Sequence, residues 1–122
     1  MATSLATWAQ LPPPATQPIA AAISAEQIKG QTLYDSRCFA CHSENANRAG
    51  PMHRGILGRK AGGVAGFMYS QALQKSTLVW TQDTLNAWLK SPESLIPGQA
   101  MNVSVADAQD RAALVAYLMS LK

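Results

Sequence analysis

The alternation of apolar and polar positions predicts a helical protein with an unpatterned start and an irregular middle. Residues 1–23 show no periodicity. Leu11-Pro12-Pro13-Pro14 and Pro18 interrupt any helix or sheet, and such a run favours extended polyproline geometry. This stretch therefore reads as a Pro/Ala-rich flexible tail or linker, and residues 24–122 as the folded domain. Ser24-Ala25-Glu26-Gln27 has the form of a capping box. Ile28, Leu33 and Tyr34 follow at spacings that predict the inward face of a first helix. Gly30 inside that helix costs roughly 1 kcal/mol relative to alanine, which predicts a close contact with a second helix.

From Ser43 to Gly66 periodicity gives way to Gly, Asn and Pro, the composition of irregular structure. So long an unpatterned stretch in a small domain needs something to fill its middle. A short helix is expected after Ser70. Thr81 is placed to cap another, with Asp83 in its first turn and Leu85, Trp88 and Leu89 on its apolar face; Pro92 stops it. Ser104 is expected to cap the last helix, where Leu114, Tyr117, Leu118 and Leu121 form one stripe. No hairpin or internal repeat stands out. The expected fold class is all-α.

Length and charge narrow the function classes. The 122 residues suit one domain. The formal charge is +3, with basic residues scattered and no basic–aromatic stripe, which argues against nucleic acid. No apolar run approaches the about 18 residues needed to span a bilayer. Nor does a basic segment followed by an apolar one mark a secretory leader at the N-terminus.

The chemistry concentrates in Cys38-Phe39-Ala40-Cys41-His42. A CxxCH pentapeptide is the attachment signal for c-type haem. On a helical turn, residues three and four apart share a face, so two thiols and an imidazole can address one macrocycle. Two other readings use the same residues. A redox-active dithiol normally sits near a βαβ pattern, which this chain lacks. Zinc held by Cys38, Cys41, His42 and His53 would need a ligand pair set well apart from the first, and His42 directly abuts Cys41. Haem is the strongest reading. In bacteria covalent attachment implies export, so the expected location is the periplasm, or the periplasm-facing part of a membrane-anchored protein, with a leader already removed.

Beyond the pentapeptide the chain resembles class I cytochrome c of the mitochondrial and bacterial c2 type, from about Ser24 to Lys122. The likeness lies in Gly50-Pro51, Gly55-Ile56-Leu57-Gly58-Arg59-Lys60, Gly66-Phe67-Met68-Tyr69, Trp80, Pro97-Gly98-Gln99-Ala100-Met101 and the segment Asp110 to Leu118. The resemblance implies the cytochrome c fold, with crossing terminal helices around one covalent haem. It implies His42 and Met101 as iron ligands, with the Pro51 carbonyl accepting the His42 Nδ1 proton. Among five methionines, Met101 stands out by its Pro-Gly-x-x-Met loop. Tyr69 and Trp80 resemble a pair that hydrogen-bonds a buried propionate, and Arg59 the nearby balancing cation. Gln99 and Trp88 fall among the expected haem-binding positions.

Three departures stand out. Trp88 replaces a tyrosine, and indole offers a donor but no acceptor. His53 replaces a leucine beside the haem, as a haem-edge histidine or an alternative iron ligand. The lysine-rich rim of mitochondrial proteins is thin here. The implied activity is one-electron transfer with redox protein partners, by a monomer or by an electron-entry domain of a larger periplasmic protein. Ligand binding or peroxidase chemistry at iron freed of Met101 is a further class of reading.

Overall fold

The computed structural model describes residues 2, 9–13 and 23–122. Most of the expected tail lies outside the described residues; within it, residues 9–13 are exposed and carry no regular structure. Five helices follow: α1 (Ala25–Arg37), α2 (Gln71–Lys75), α3 (Gln82–Lys90), α4 (Pro92–Leu95) and α5 (Ala108–Ser120). The described residues contain no strand; a single antiparallel bridge joins Lys60 to Val79.

Each helix starts where a side chain satisfies its free N–H groups. Ser24 and Gln27 form the reciprocal capping box of α1. Ser70 caps α2, and Thr81 caps α3 with Asp83 in its first turn. Pro92 both follows the end of α3 and occupies the first turn of α4, where a missing N–H costs nothing. The last helix departs from expectation. Its cap is Asp107, which accepts from Asp110 N–H at 2.8 Å, and not Ser104. Residues 102–107 are drawn instead into a loop whose Val105 N–H donates to Leu89 O at 2.7 Å.

The dominant helix contact is α1 against α5. Gly30 lies so close to Ala113 that an added β-carbon would sit 2.0 Å from its carbonyl oxygen, which accounts for glycine mid-helix. Tyr34, Leu114, Tyr117, Leu118 and Leu121 are buried at this crossing. Ile28 is not: it is 55% exposed, because the tight approach at Gly30 turns the α1 face toward Tyr34 and Leu33. The long irregular stretch from Ser43 to Gly66 wraps beside the crossing, tied to the end of α5 by Gly55 N–H donating to Leu121 O at 2.7 Å.

Candidate haem site

Between α3, α5 and the irregular stretch lies a cavity of about 290 Å³. Its walls are chiefly apolar, with Ile56, Leu73, Leu85, Leu89, Leu114 and Leu118 among them. Cys38, Cys41 and His42 open into one side and Met101 also lines it. Met68 and Val103 line the cavity and are 91% and 46% exposed, so they mark its mouth.

The end of α1 positions the first three groups. His42 N–H donates to Cys38 O at 2.9 Å and Cys41 N–H to the same oxygen at 3.1 Å, a tight turn that keeps both thiols and the imidazole together. Burial, opposed by Arg37 and reinforced by Cys41, pushes the Cys38 thiol up to about 11. His42 is buried, and its Nδ1 lies 2.8 Å from Pro51 O. An N–H at Nδ1 leaves Nε2 with a free lone pair. Burial pulls the imidazole below its ordinary pKa, against that hydrogen bond, and keeps it neutral. Gly50 is shaped around the same ring: a β-carbon there would fall 2.2 Å from His42 Cε1.

Met101 is presented by a braced loop. Gly98 turns with φ 89° after Pro97, and Asn102 with φ 52°, both left-handed conformations that Gly and Asn tolerate. The Glu93 carboxylate accepts from Gly98 N–H at 2.9 Å and from Gln99 Nε2 at 3.0 Å. Gln99 also donates to Asn102 Oδ1 at 2.8 Å and accepts from Asn102 N–H at 3.0 Å. Gln99, expected among the haem-binding positions, here braces the loop that carries Met101. Its amide is spent within the loop and it does not line the cavity.

The polar corner is assembled by the Lys60–Val79 bridge. Trp80 N–H donates to Arg59 O at 2.9 Å and Gly58 N–H to Trp80 O at 2.8 Å, which sets Arg59 and Trp80 side by side in the wall. Arg59 donates to Met52 O at 2.7 Å and to Arg54 O at 3.2 Å. Tyr69 Oη accepts from Val64 N–H at 3.0 Å, leaving its own O–H to donate. Trp88 meets Trp80 edge-on, with ring centroids 5.4 Å apart. Thus Cys38, Cys41, His42, Pro51, Arg59, Tyr69, Trp80, Trp88 and Met101 share one cavity.

Sequence reasoning gave no role to Gly50, Glu93 or Arg111. Arg111 is buried, and it donates to Val105 O at 2.9 Å, Ala106 O at 2.8 Å and Asn86 Oδ1 at 3.1 Å, which pins the end of the Met101 loop to α3 and α5. An arginine beside the apolar stripe of the last helix is the signal that could have pointed to it.

These residues fit a haem. Apolar walls suit a porphyrin, and two thiols lie three residues apart beside a neutral imidazole. Among the described residues no three His, Cys, Asp or Glu side chains are grouped to hold a metal ion. Fold and site together define a small electron carrier of the c-type haem class.

Comparison with known proteins agrees. The family model for cytochrome c matches residues 27–122. Cytochrome c2 of Rhodopila globiformis is 36% identical over 100 residues, covering 80% of this chain and 94% of its own. The cytochrome c-type cyt cy of Rhodobacter capsulatus is 36% identical over 112 residues, covering 90% of this chain and 56% of its own. Among solved structures, cytochrome cH from Methylobacterium extorquens superposes with a TM-score of 0.73 at 35% identity, over 77% of this chain and 97% of that one. The chain belongs to the cytochrome c family. It transfers electrons through one covalently attached c-type haem and is not an enzyme.

Proposed function

We propose that Cys38 and Cys41 would carry the haem thioethers and that His42 and Met101 would be the two protein ligands to its iron. The observation that carries this reading is the convergence of all four side chains on one apolar cavity, with His42 Nδ1 held by Pro51. The haem supplies a one-electron ferric–ferrous couple, and a thioether ligand raises its reduction potential. The chain does the rest. The Pro51 carbonyl fixes the His42 tautomer and strengthens it as a donor. The Tyr69 hydroxyl and the Trp80 indole offer donors to a propionate, and Arg59 the balancing charge. With His42 and Met101 both bound, the iron would have no open position, and the centre would pass electrons without binding substrate.

Partners are redox proteins, met through a small and short-lived contact at the mouth formed by Met68 and Val103. Covalent haem and kinship with bacterial c2 cytochromes support a periplasmic location. No helix among the described residues is long and apolar enough to cross a membrane. We assign residues 24–122 to the carrier domain and 1–23 to a tail or linker. A second arrangement, a carrier tethered within a larger protein, is favoured by one observation. The match to the longer Rhodobacter capsulatus cyt cy covers so much of this chain that it reaches upstream of Ser24.

The test of the ligand set is Met101→Ala in the haem-loaded protein, beside Met52→Ala, Met68→Ala and Met119→Ala. The ferric sulfur-to-iron charge-transfer band should vanish in the first and persist in the other three. A band that survives Met101→Ala removes the assignment.

A further inference from the structure

Against the His42 imidazole lies a second one. The His53 ring stacks on it, with centroids 4.1 Å apart and planes 22° from parallel. His53 Nδ1 shares a 2.8 Å hydrogen bond with Tyr34 Oη. Tyr34 is only 1% exposed, and it is held edge-on by Tyr117 at 5.3 Å. Tyr34 belongs to α1 and Tyr117 to α5, so the terminal-helix crossing reaches His42 through two side chains.

The arrangement has a mechanical consequence. A hydrogen bond at Nδ1 and a ligand bond at Nε2 fix two points of the His42 ring and therefore an axis. They leave the ring plane free to turn about that axis. A nearly parallel ring in van der Waals contact removes this freedom, provided it is itself held in place, and Tyr34 holds it. Burying an imidazole and a phenol hydroxyl costs desolvation that an apolar pair would not incur, yet each satisfies the other here. Plain space-filling does not call for that pair.

We propose that His53, anchored by Tyr34, is a positioning residue for the proximal ligand, setting the plane of the His42 ring and through it the reduction equilibrium of the centre. The proposal rests on His42 being the iron ligand. His53 lines the same cavity as His42, with its Nδ1 engaged by Tyr34.

The test uses the haem-loaded protein and three variants, His53→Leu, His53→Phe and Tyr34→Phe. Proton NMR of the ferric form reads ligand-plane orientation in the spread and order of the haem methyl shifts. His53→Leu should change that pattern and move the equilibrium constant against a fixed redox reference by about threefold or more, where tenfold corresponds to about 59 mV for one electron. His53→Phe keeps a flat ring and should largely restore the wild-type pattern. Tyr34→Phe should move it in the direction of His53→Leu, by less. If His53→Leu fails to fold, Tyr34→Phe carries the test alone. Wild-type methyl shifts and potential in the folded variants, with only the melting temperature lowered, overturn the proposal. If the hyperfine-shifted imidazole resonances of the wild type assign to His53 and not His42, the ligand assignment falls and this inference with it.

Discussion

Gly30 of α1 faces Ala113 of α5 with no room for a side chain: a β-carbon on residue 30 would lie 2.0 Å from the Ala113 carbonyl oxygen and 2.8 Å from Tyr117 Cβ. Because the obstacle is backbone, neither helix yields by a rotamer change. Gly30→Ala is therefore expected to lose about 2–3 kcal/mol of stability, even after the roughly 1 kcal/mol that alanine gains in helix propensity. Denaturant unfolding of the haem-loaded protein measures it.

Gly50 is the counterpart within the site. A β-carbon there would overlap the His42 ring, 2.2 Å from Cε1 and 2.5 Å from Nδ1. Gly50→Ala should displace the imidazole and weaken its bond to Pro51. The expected readout is a loss of low-spin ferric haem, with destabilisation of about 3 kcal/mol. A variant with wild-type spectra and stability would show that the loop moves aside freely.

The two glycines show how far the sequence could be read. Gly30 announced a helix contact because it breaks a periodic pattern, and that pattern together with the capping residues pointed to α1, α3 and α5, while Ser70 alone pointed to α2. The apolar stripe of α5 specified the core in the same way. Gly50 announced nothing, since glycine is ordinary in an unpatterned loop and the ring it accommodates is eight residues away. Cys38, Cys41 and His42 were legible because their spacing is itself the chemistry. The Glu93 latch and the Arg111 anchor were not, because both bind backbone groups of irregular loops, whose path no periodic pattern gives. Ser104 misled for a related reason. Its residue type suits a cap, but the anchored loop delays the helix to Asp107.

The Glu93 latch predicts an acid-sensitive loop. Hydrogen bonds from Gly98 N–H and the Gln99 amide hold the Glu93 carboxyl below its ordinary pKa. A depressed carboxylate contributes stability above its unfolded pKa, near 4.5, and loses it as pH falls through the folded value. Acidification below about pH 4.5 should thus loosen the Met101 loop. The methionine charge-transfer band and its displacement by added imidazole follow this directly. Glu93→Ala should make displacement several-fold faster at neutral pH and flatten its dependence on acid in this range. An unchanged acid profile in that variant would remove Glu93 as the sensor.

Arg111 predicts a separation between local and global unfolding. Its guanidinium is the donor to the Val105 and Ala106 carbonyls and to Asn86, and it is buried where water does not readily replace it. Arg111→Met keeps much of the apolar stem and leaves those acceptors unpaired, at an expected cost of about 2–4 kcal/mol. The carbonyls released lie four and five residues after Met101, so the loop should feel the loss before the helices do. In a denaturant titration of Arg111→Met, the methionine band should disappear at lower concentration than helical circular dichroism, with a wider gap than in wild type. Coincident transitions in the variant, shifted together, would mean that Arg111 supports the whole domain and not the loop in particular.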